Sequence, residues 1–148
     1  MGEGHGHLLI VWNEPHMTGV NILDEQHRAF AAMVNSLHYA LTVRQDPDQL
    51  HPIYNMVMGF AKTHFPTEIE MLKDSGYPQL NAHQVHHERL IADSMLIYEY
   101  SSQKDGDPKA YLEFLKRWWK FHILHEDLAY GAHLQTYFRS ERRVIKKR

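Results

Sequence analysis

Four stretches of the chain place apolar residues at alternating intervals of three and four, the repeat that draws one continuous stripe along an α-helix. The first runs through Val20, Leu23, His27, Phe30, Val34, Leu37 and Leu41 and is broken by Asp46-Pro47-Asp48. The second takes Ile53, Val57, Phe60, His64 and Met71 and closes at Asp74-Ser75-Gly76-Tyr77-Pro78, where Gly76 suits a helix C-cap and Pro78 prevents continuation. The third follows Leu80, His83, His87, Leu90 and Ile97 as far as Lys104-Asp105-Gly106-Asp107-Pro108. The fourth opens on Pro108 and continues through Leu112, Leu115, Trp119 and His122 toward His133. Almost nothing alternates with period two. The spacing therefore predicts an all-α chain, four helices of about 20 to 27 residues joined by short turns, for which an up-down-up-down antiparallel four-helix bundle is the economical fold. One domain is expected over 1–148: an N-terminal arm over 1–19, the bundle over about 20–138 and a basic tail over 139–148.

Composition narrows the function. A chain of 148 residues can bury about two thirds of its unfolded surface without a staple. The absence of cysteine removes disulfide scaffolds, thiol nucleophiles and thiolate-held metals. A net charge of −2 argues against a nucleic-acid partner held by bulk charge. The start, Met1 to His7, has no basic region before the short apolar stretch Leu8 to Trp12, so it does not read as a secretory signal. Gly6 stands where a myristoylation signal wants Ser or Thr. No apolar run approaches the roughly 20 residues needed to span a bilayer, so a cytoplasmic protein without membrane insertion is expected. The segment from Arg139 to Arg148 holds six basic residues and one acid; it reads as a solvated tail, with an anionic or membrane-surface contact as the alternative. His5 and His7 in the Gly-rich arm read as inert.

The polar residues inside the stripes carry the chemistry. Thirteen histidines nearly match the fifteen leucines, and each stripe has a histidine where a bundle would want Leu or Ile: His27, His64, His83 with His87, and His122. Burying one unpartnered polar group costs about 1–3 kcal/mol, so five together need partners or a metal. His64 with Glu68, and His83 with His87, are spaced i, i+4, which leaves the two side chains of each pair about 40° apart on one helix face. The positions within each helix let all of them meet at one level of an antiparallel bundle. On the fourth helix His122 and Asp127 are i, i+5, roughly 140° apart on an ideal α-helix, whereas Glu126 at i+4 falls on the stripe. Periodicity alone favours Glu126.

The ordered motifs are recognisable. Trp12, Gly19-Val20, Leu23-Asp24-Glu25-Gln26-His27, then His64-Phe65-Pro66-Thr67-Glu68, then Gly76-Tyr77-Pro78 followed by His83-x-x-x-His87-Glu88, and finally Trp118 and His122-Ile123 with Asp127, resemble the hemerythrin family, particularly its bacterial single-domain members. The resemblance covers Trp12 to about Tyr130. Ile69 departs from it, since the family often has a second acid after its metal-binding Glu. What the resemblance implies is a non-haem di-iron site: His27 and His64 on one iron, His83, His87 and His122 on the other, Glu68 and Asp127 bridging both together with an oxo or hydroxo group. It thus chooses Asp127 over Glu126 and requires the last helix to deform locally. With that ligand count three histidines complete six coordination at one iron and two leave an open position at the other. The family resemblance supplies the chemistry there: O2 taken up as a hydroperoxide.

The surroundings expected for the open position are Phe30, Phe65, Trp119 and Ile123, which offer neither acid nor base. Trp119, three residues before His122, is expected to overhang the site. Such a pocket suits reversible binding more than turnover. Carboxylate-rich ferritin-like oxidases bring paired Glu-x-x-His motifs that are missing here, and a zinc hydrolase would need a general base beside its water. The leading reading is an O2-binding protein for carriage or storage, not an enzyme. An oxygen or redox sensor acting through a partner is second and an iron-dependent oxidase or peroxidase third. No protein partner is indicated and the oligomeric state stays open. His86 and His125 read as surface or as supports for the ligands, His16, His38, His51 and His133 as exposed or locally bonded, and the seven methionines as packing.

Overall fold

The computed structural model describes the backbone of residues 8–147 and the side chains of residues 8–141, so His5 and His7 lie outside the described residues. Among these residues the chain is helical with no strand. Helix α1 spans Asn21–Thr42, α2 Leu50–Asp74, α3 Leu80–Ser101 and α4 Pro108–Arg117; a π-helical segment follows over Trp118–Asp127, and α5 covers Gly131–Lys147.

Helix ends follow local chemistry. Asp107 caps α4, its carboxylate accepting from the Lys109 amide at 3.0 Å, with Pro108 at the first helical position. The end of α2 is a Schellman turn: Tyr77 N–H donates to the Leu72 carbonyl at 2.9 Å and Gly76 N–H to that of Lys73 at 3.1 Å. Gly76 adopts the φ of +71° that this turn requires and a side chain resists.

The apolar residues divide into two clusters, and the order in which each helix meets them defines the bundle. The larger holds Phe30 to Leu41 of α1, Leu50 to Phe65 of α2 and Tyr111 to Ile123 of α4 and the π segment, with Leu90 to Tyr98 of α3 packed against it. The smaller holds Val20, Leu23, Leu72, Tyr130 and Leu134, with Leu80 against it. Helix α1 runs from the small cluster to the large one, α2 back, α3 forward again, and the fourth strand of the bundle back. The chain thus alternates direction, and the buried histidines His27, His64, His83, His87 and His122 fall between the clusters. On α2 it is Leu72, fully buried, rather than the half-buried Met71, that continues the stripe of His64 and Glu68.

Both flanks of the bundle are tied to it. The arm is packed: Asn35 clamps the Ile10 backbone, its Oδ1 accepting from Ile10 N–H at 2.7 Å and its Nδ2 donating to Ile10 O at 2.8 Å. Asp24 accepts from Thr18 N–H at 2.6 Å, Thr18 Oγ1 at 2.8 Å and Gly19 N–H at 3.1 Å. Gln135 of α5 donates to the Thr18 carbonyl at 2.6 Å. At the other end the backbone over 139–147, expected as a separate tail, continues α5; the side chains of 142–148 lie outside the described residues.

Candidate metal centre

Seven residues converge between the two apolar clusters: His27 from α1, His64 and Glu68 from α2, His83 and His87 from α3, and His122 and Asp127 from the π segment. All are buried, none more than 4% exposed. Their donor atoms form two groups, each with all its atoms within 4.8 Å of one another: His27, His64, Glu68 and Asp127, and Glu68, His83, His87, His122 and Asp127. Both carboxylates belong to both groups.

The oxygens divide between them. Asp127 Oδ2 lies 3.0 Å from His27 Nε2 and 3.6 Å from His64 Nε2, while Oδ1 lies 2.9 Å from His83 Nε2 and 3.2 Å from His122 Nε2. Glu68 Oε2 lies 3.0 Å from His64 Nε2, while Oε1 lies 2.8 Å from His87 Nε2 and touches His83 Nε2. Each carboxylate therefore spans a two-histidine group and a three-histidine group. Most of these approaches are not aligned as hydrogen bonds: the Nε2 atoms of His27, His64, His87 and His122 and both Asp127 oxygens are buried with no hydrogen-bond partner among the described residues. Buried orphans on this scale are rare in a folded chain and call for an ion. Converging imidazole and carboxylate lone pairs are the donor set of a transition-metal pair.

Charge follows the same crowding. Burial disfavours the charged form of His64, but the facing Asp127 and Glu68 carboxylates outweigh it and lift the imidazole to about 9. The same balance lifts His83 to about 10. Burial and the Asp127 charge push Glu68 up, yet the imidazoles of His64, His83 and His87 hold it well below the usual carboxylate range. For Asp127 burial is likewise outweighed, by His122, His27, His64 and His83. His87 is lowered, chiefly by burial. Metal-free, the centre sets the protonated imidazoles of His64 and His83 against two carboxylates, and a metal must displace those protons.

A second layer orients the ligands. Gln26 Oε1 accepts from His64 Nδ1–H at 2.7 Å, so that Nε2 is the nitrogen left to a metal once its proton is displaced. Glu126 Oε2 lies 3.2 Å from His122 Nδ1, and Oε1 lies 3.5 Å from Nδ1 of His86 on the surface. The buried Tyr130 hydroxyl donates to Glu68 Oε2 at 2.6 Å. The sequence reading missed Tyr130; its only signal was a position eight residues past His122, two turns along the same strand of the bundle.

The π segment gives Glu126 and Asp127 different places. A π-helix takes about 4.4 residues per turn, roughly 82° each, so residues at i+4 and i+5 fall about 32° and 50° to either side of residue i. Glu126 and Asp127 thus flank His122, the first on its Nδ1, the second on its Nε2. The same phase corrects Trp119. Three π-helical steps leave it about 115° from His122 instead of the 60° of an α-helix, and its ring meets Trp12 at 6.0 Å and His16 at 5.4 Å in the arm, not the histidine cluster. Trp118, at i−4, takes the inward place.

Of the other residues expected around the site, Phe65 stacks on His87 with centroids 3.8 Å apart and also meets His64 and His122. Phe30 and Ile123 are fully buried, Phe30 one ring further out against Phe60 and Trp118. Phe60, not singled out from sequence, stacks on His64 at 4.8 Å. A groove of about 790 Å³ between α2 and α3, with Ala61, Phe65, Pro66, His87 and Ile91 in its walls, reaches this aromatic cover from outside.

Fold and site define a class: a helical bundle enclosing a buried cluster of five histidines and two carboxylates with the donor set of a metal centre. The sequence pattern of the Hemerythrin HHE cation binding domain matches residues 18–134. The chain belongs to the hemerythrin family. It is 30% identical to a bacteriohemerythrin of Stenotrophomonas maltophilia (strain R551-3) over 138 residues, 88% of each chain. It is 27% identical to a bacteriohemerythrin of Clostridium acetobutylicum over 127 residues, 82% of this chain and 98% of that one. Among solved structures, a leucine-to-tyrosine mutant of hemerythrin superimposes with a TM-score of 0.65 at 26% identity, covering 86% of this chain and 98% of that one. Among the described residues no helix is long and apolar enough to cross a membrane.

Proposed function

We propose that the protein binds O2 reversibly, for carriage or storage, at a non-haem di-iron centre in which His27 and His64 hold one ion, His83, His87 and His122 the other, and Glu68 and Asp127 bridge them. The observation that carries this reading is the unequal division of five histidines around two shared carboxylates. Two histidines with two bridging carboxylates leave one ion short of ligands, and that ion is where a small molecule can bind. When loaded in the ferrous state, the pair supplies the two electrons that reversible O2 capture requires.

The chain's own residues favour capture over turnover. Phe60 and Phe65 cover the ligand rings and exclude water. The Tyr130 hydroxyl is committed to Glu68, and burial pushes its pKa well above the ordinary value, so it stays a donor that fixes the bridge. Gln26 and Glu126 fix the tautomers of His64 and His122. Anaerobically reduced protein carrying two irons per chain should be nearly colourless, gain a charge-transfer band with O2 and lose it on deoxygenation. Irreversible oxidation with release of a reduced oxygen product would overturn the proposal in favour of an oxidase.

A further inference from the structure

We propose that a continuous file of aromatic side chains carries single electrons between the metal centre and the opposite end of the bundle, ending at Tyr98 with His51 as its proton acceptor. The inference rests on the di-iron reading for the inner end of the path and on contacts of this chain for the rest.

The file starts on the ligands. Phe65 lies on His87 at 3.8 Å and Phe60 on His64 at 4.8 Å, and both meet Trp118, at 5.8 and 6.4 Å. From Trp118 the rings continue along α4 to Phe114 at 5.8 Å and Tyr111 at a further 5.8 Å. Tyr111 meets Tyr54 at 5.7 Å and Tyr98 at 6.1 Å, and the last two are stacked at 3.8 Å, their planes 6° apart. His51 Nδ1 lies 2.5 Å from the Tyr98 hydroxyl. Phe60, Phe65 and Phe114 serve as the medium, while Trp118, Tyr111 and Tyr98 are the rings that can give up an electron. Tunnelling decays exponentially with distance, so a path of ring contacts is fast where one long jump is not.

Proton bookkeeping gives the path a direction. Trp118 is buried and its indole N–H has no hydrogen-bond partner among the described residues, so an oxidised Trp118 keeps its proton and remains a strong oxidant. Tyr111 is fully buried and its hydroxyl pairs with Ser94 Oγ at 2.7 Å, which is no base. Tyr98 alone of the three touches an imidazole. Asn55 Nδ2 sits 3.2 Å from Nε2, the other ring nitrogen; with that amide turned so that its oxygen takes the place of Nδ2, His51 carries its proton on Nε2 and Nδ1 accepts the phenol proton. Tyr111 is thus the high-energy bridge of the path, and the net move of the vacancy from Trp118 to Tyr98 is downhill because only Tyr98 can pass its proton to an imidazole as it loses the electron.

The chemistry balances with hydrogen peroxide as oxidant. Peroxide at the centre takes two electrons and two protons to become two waters. One electron comes from Tyr98 through Tyr111 and Trp118, while the Tyr98 phenol proton moves to His51 and leaves a neutral tyrosyl radical beside an imidazolium. The second electron would come from a ferrous centre held by the ligand set, the two protons consumed would come from solvent, and a second equivalent of the reductant would return the metal to its starting state. A small hydrophilic one-electron reductant, for which ascorbate is the probe, then restores Tyr98, and His51 returns the proton. A surface hollow of about 550 Å³ bordered by His51, Tyr98, Ser101 and Lys104 gives such a molecule access. The file would spare the ligands from oxidation.

Two experiments test this. Iron-loaded protein treated with peroxide and freeze-quenched should give a tyrosyl radical signal by electron paramagnetic resonance. That signal should disappear in Tyr98→Phe, fall several-fold in Trp118→Phe at unchanged iron content, and decay faster in His51→Gln. In metal-free protein, laser-flash ionisation of tryptophan should be followed by a concentration-independent conversion of tryptophan radical to tyrosyl radical that both Tyr98→Phe and Trp118→Phe abolish. A conversion insensitive to both variants, or a peroxide-treated di-iron protein with no radical at Tyr98, overturns the relay. The metal-free measurement does not depend on iron, so failure of the O2 reading and failure of the relay are told apart.

Discussion

At the scale of single residues, the centre separates ligands from their supports. His27→Ala should lower iron content chiefly to one ion per chain, because His27 belongs only to the two-histidine group. Asp127→Ala should weaken both sites, because its two oxygens face different groups. Glu126→Ala should keep both irons with affinity lowered about 10- to 100-fold, the usual effect of removing a carboxylate that orients a ligating imidazole. Metal analysis of the three variants checks the ranking; loss of both irons in Glu126→Ala with retention in Asp127→Ala would reverse the roles. Trp119 carries a second prediction. Because its ring packs on Trp12 and His16, Trp119→Leu should loosen the arm and leave O2 association and autoxidation rates near those of the wild type. Trp118→Ala, by contrast, should cost about 3–5 kcal/mol of stability in a denaturant titration, since it opens the core beneath the ligands.

At the scale of elements, two features position the site. The π segment adds the residue that lets His122 use both ring nitrogens on successive carboxylates. The arm closes the bundle over α1 through Asn35, whose side chain satisfies both polar groups of Ile10. Asn35→Ala should leave that backbone unpaired and cost about 1–3 kcal/mol. Hydrogen exchange should show the Ile10 amide losing its protection while amides in the middle of α1 keep theirs; equal loss in both would mean that the arm and the bundle are one cooperative unit.

At the scale of the molecule, the buried charge couples metal to stability and pH. His64 and His83 have folded pKa values of about 9 and 10, above the ordinary 6.5, so the stability they contribute without metal is complete below pH 6.5 and lost as pH rises through 9 to 10. Glu68 and Asp127 are depressed, so their contribution is present above 4.5 and 3.8 and lost on acidification. His87, also depressed, opposes folding as pH falls below 6.5. Metal-free protein should therefore melt at progressively lower temperature between pH 6.5 and 10. Loading should strengthen over the same range and at pH 7 release protons from His64 and His83, measurable with an indicator dye in weak buffer. A flat metal-free melting profile, or loading without proton release, would show that the imidazoles are already neutral.

The four limbs of the bundle and their order were legible in the sequence, because apolar spacing and Pro and Gly breaks are local properties that the backbone must obey; the division of the fourth limb into α4, the π segment and α5 was not. The pairing of His64 with Glu68 and of His83 with His87 was legible too, since i, i+4 spacing within α2 and within α3 is independent of how the helices meet. What the tertiary structure alone decided lies where the α-helical period fails. The π turn put Asp127 on the centre, Glu126 behind His122, Trp118 inward and Trp119 against the arm. The burial of Tyr130 on Glu68 and the packing of the arm are contacts between segments distant in sequence, 62 residues apart in the first case. Such contacts exist only once the bundle has closed, because the periodicity of one helix carries no information about the phase of its neighbour.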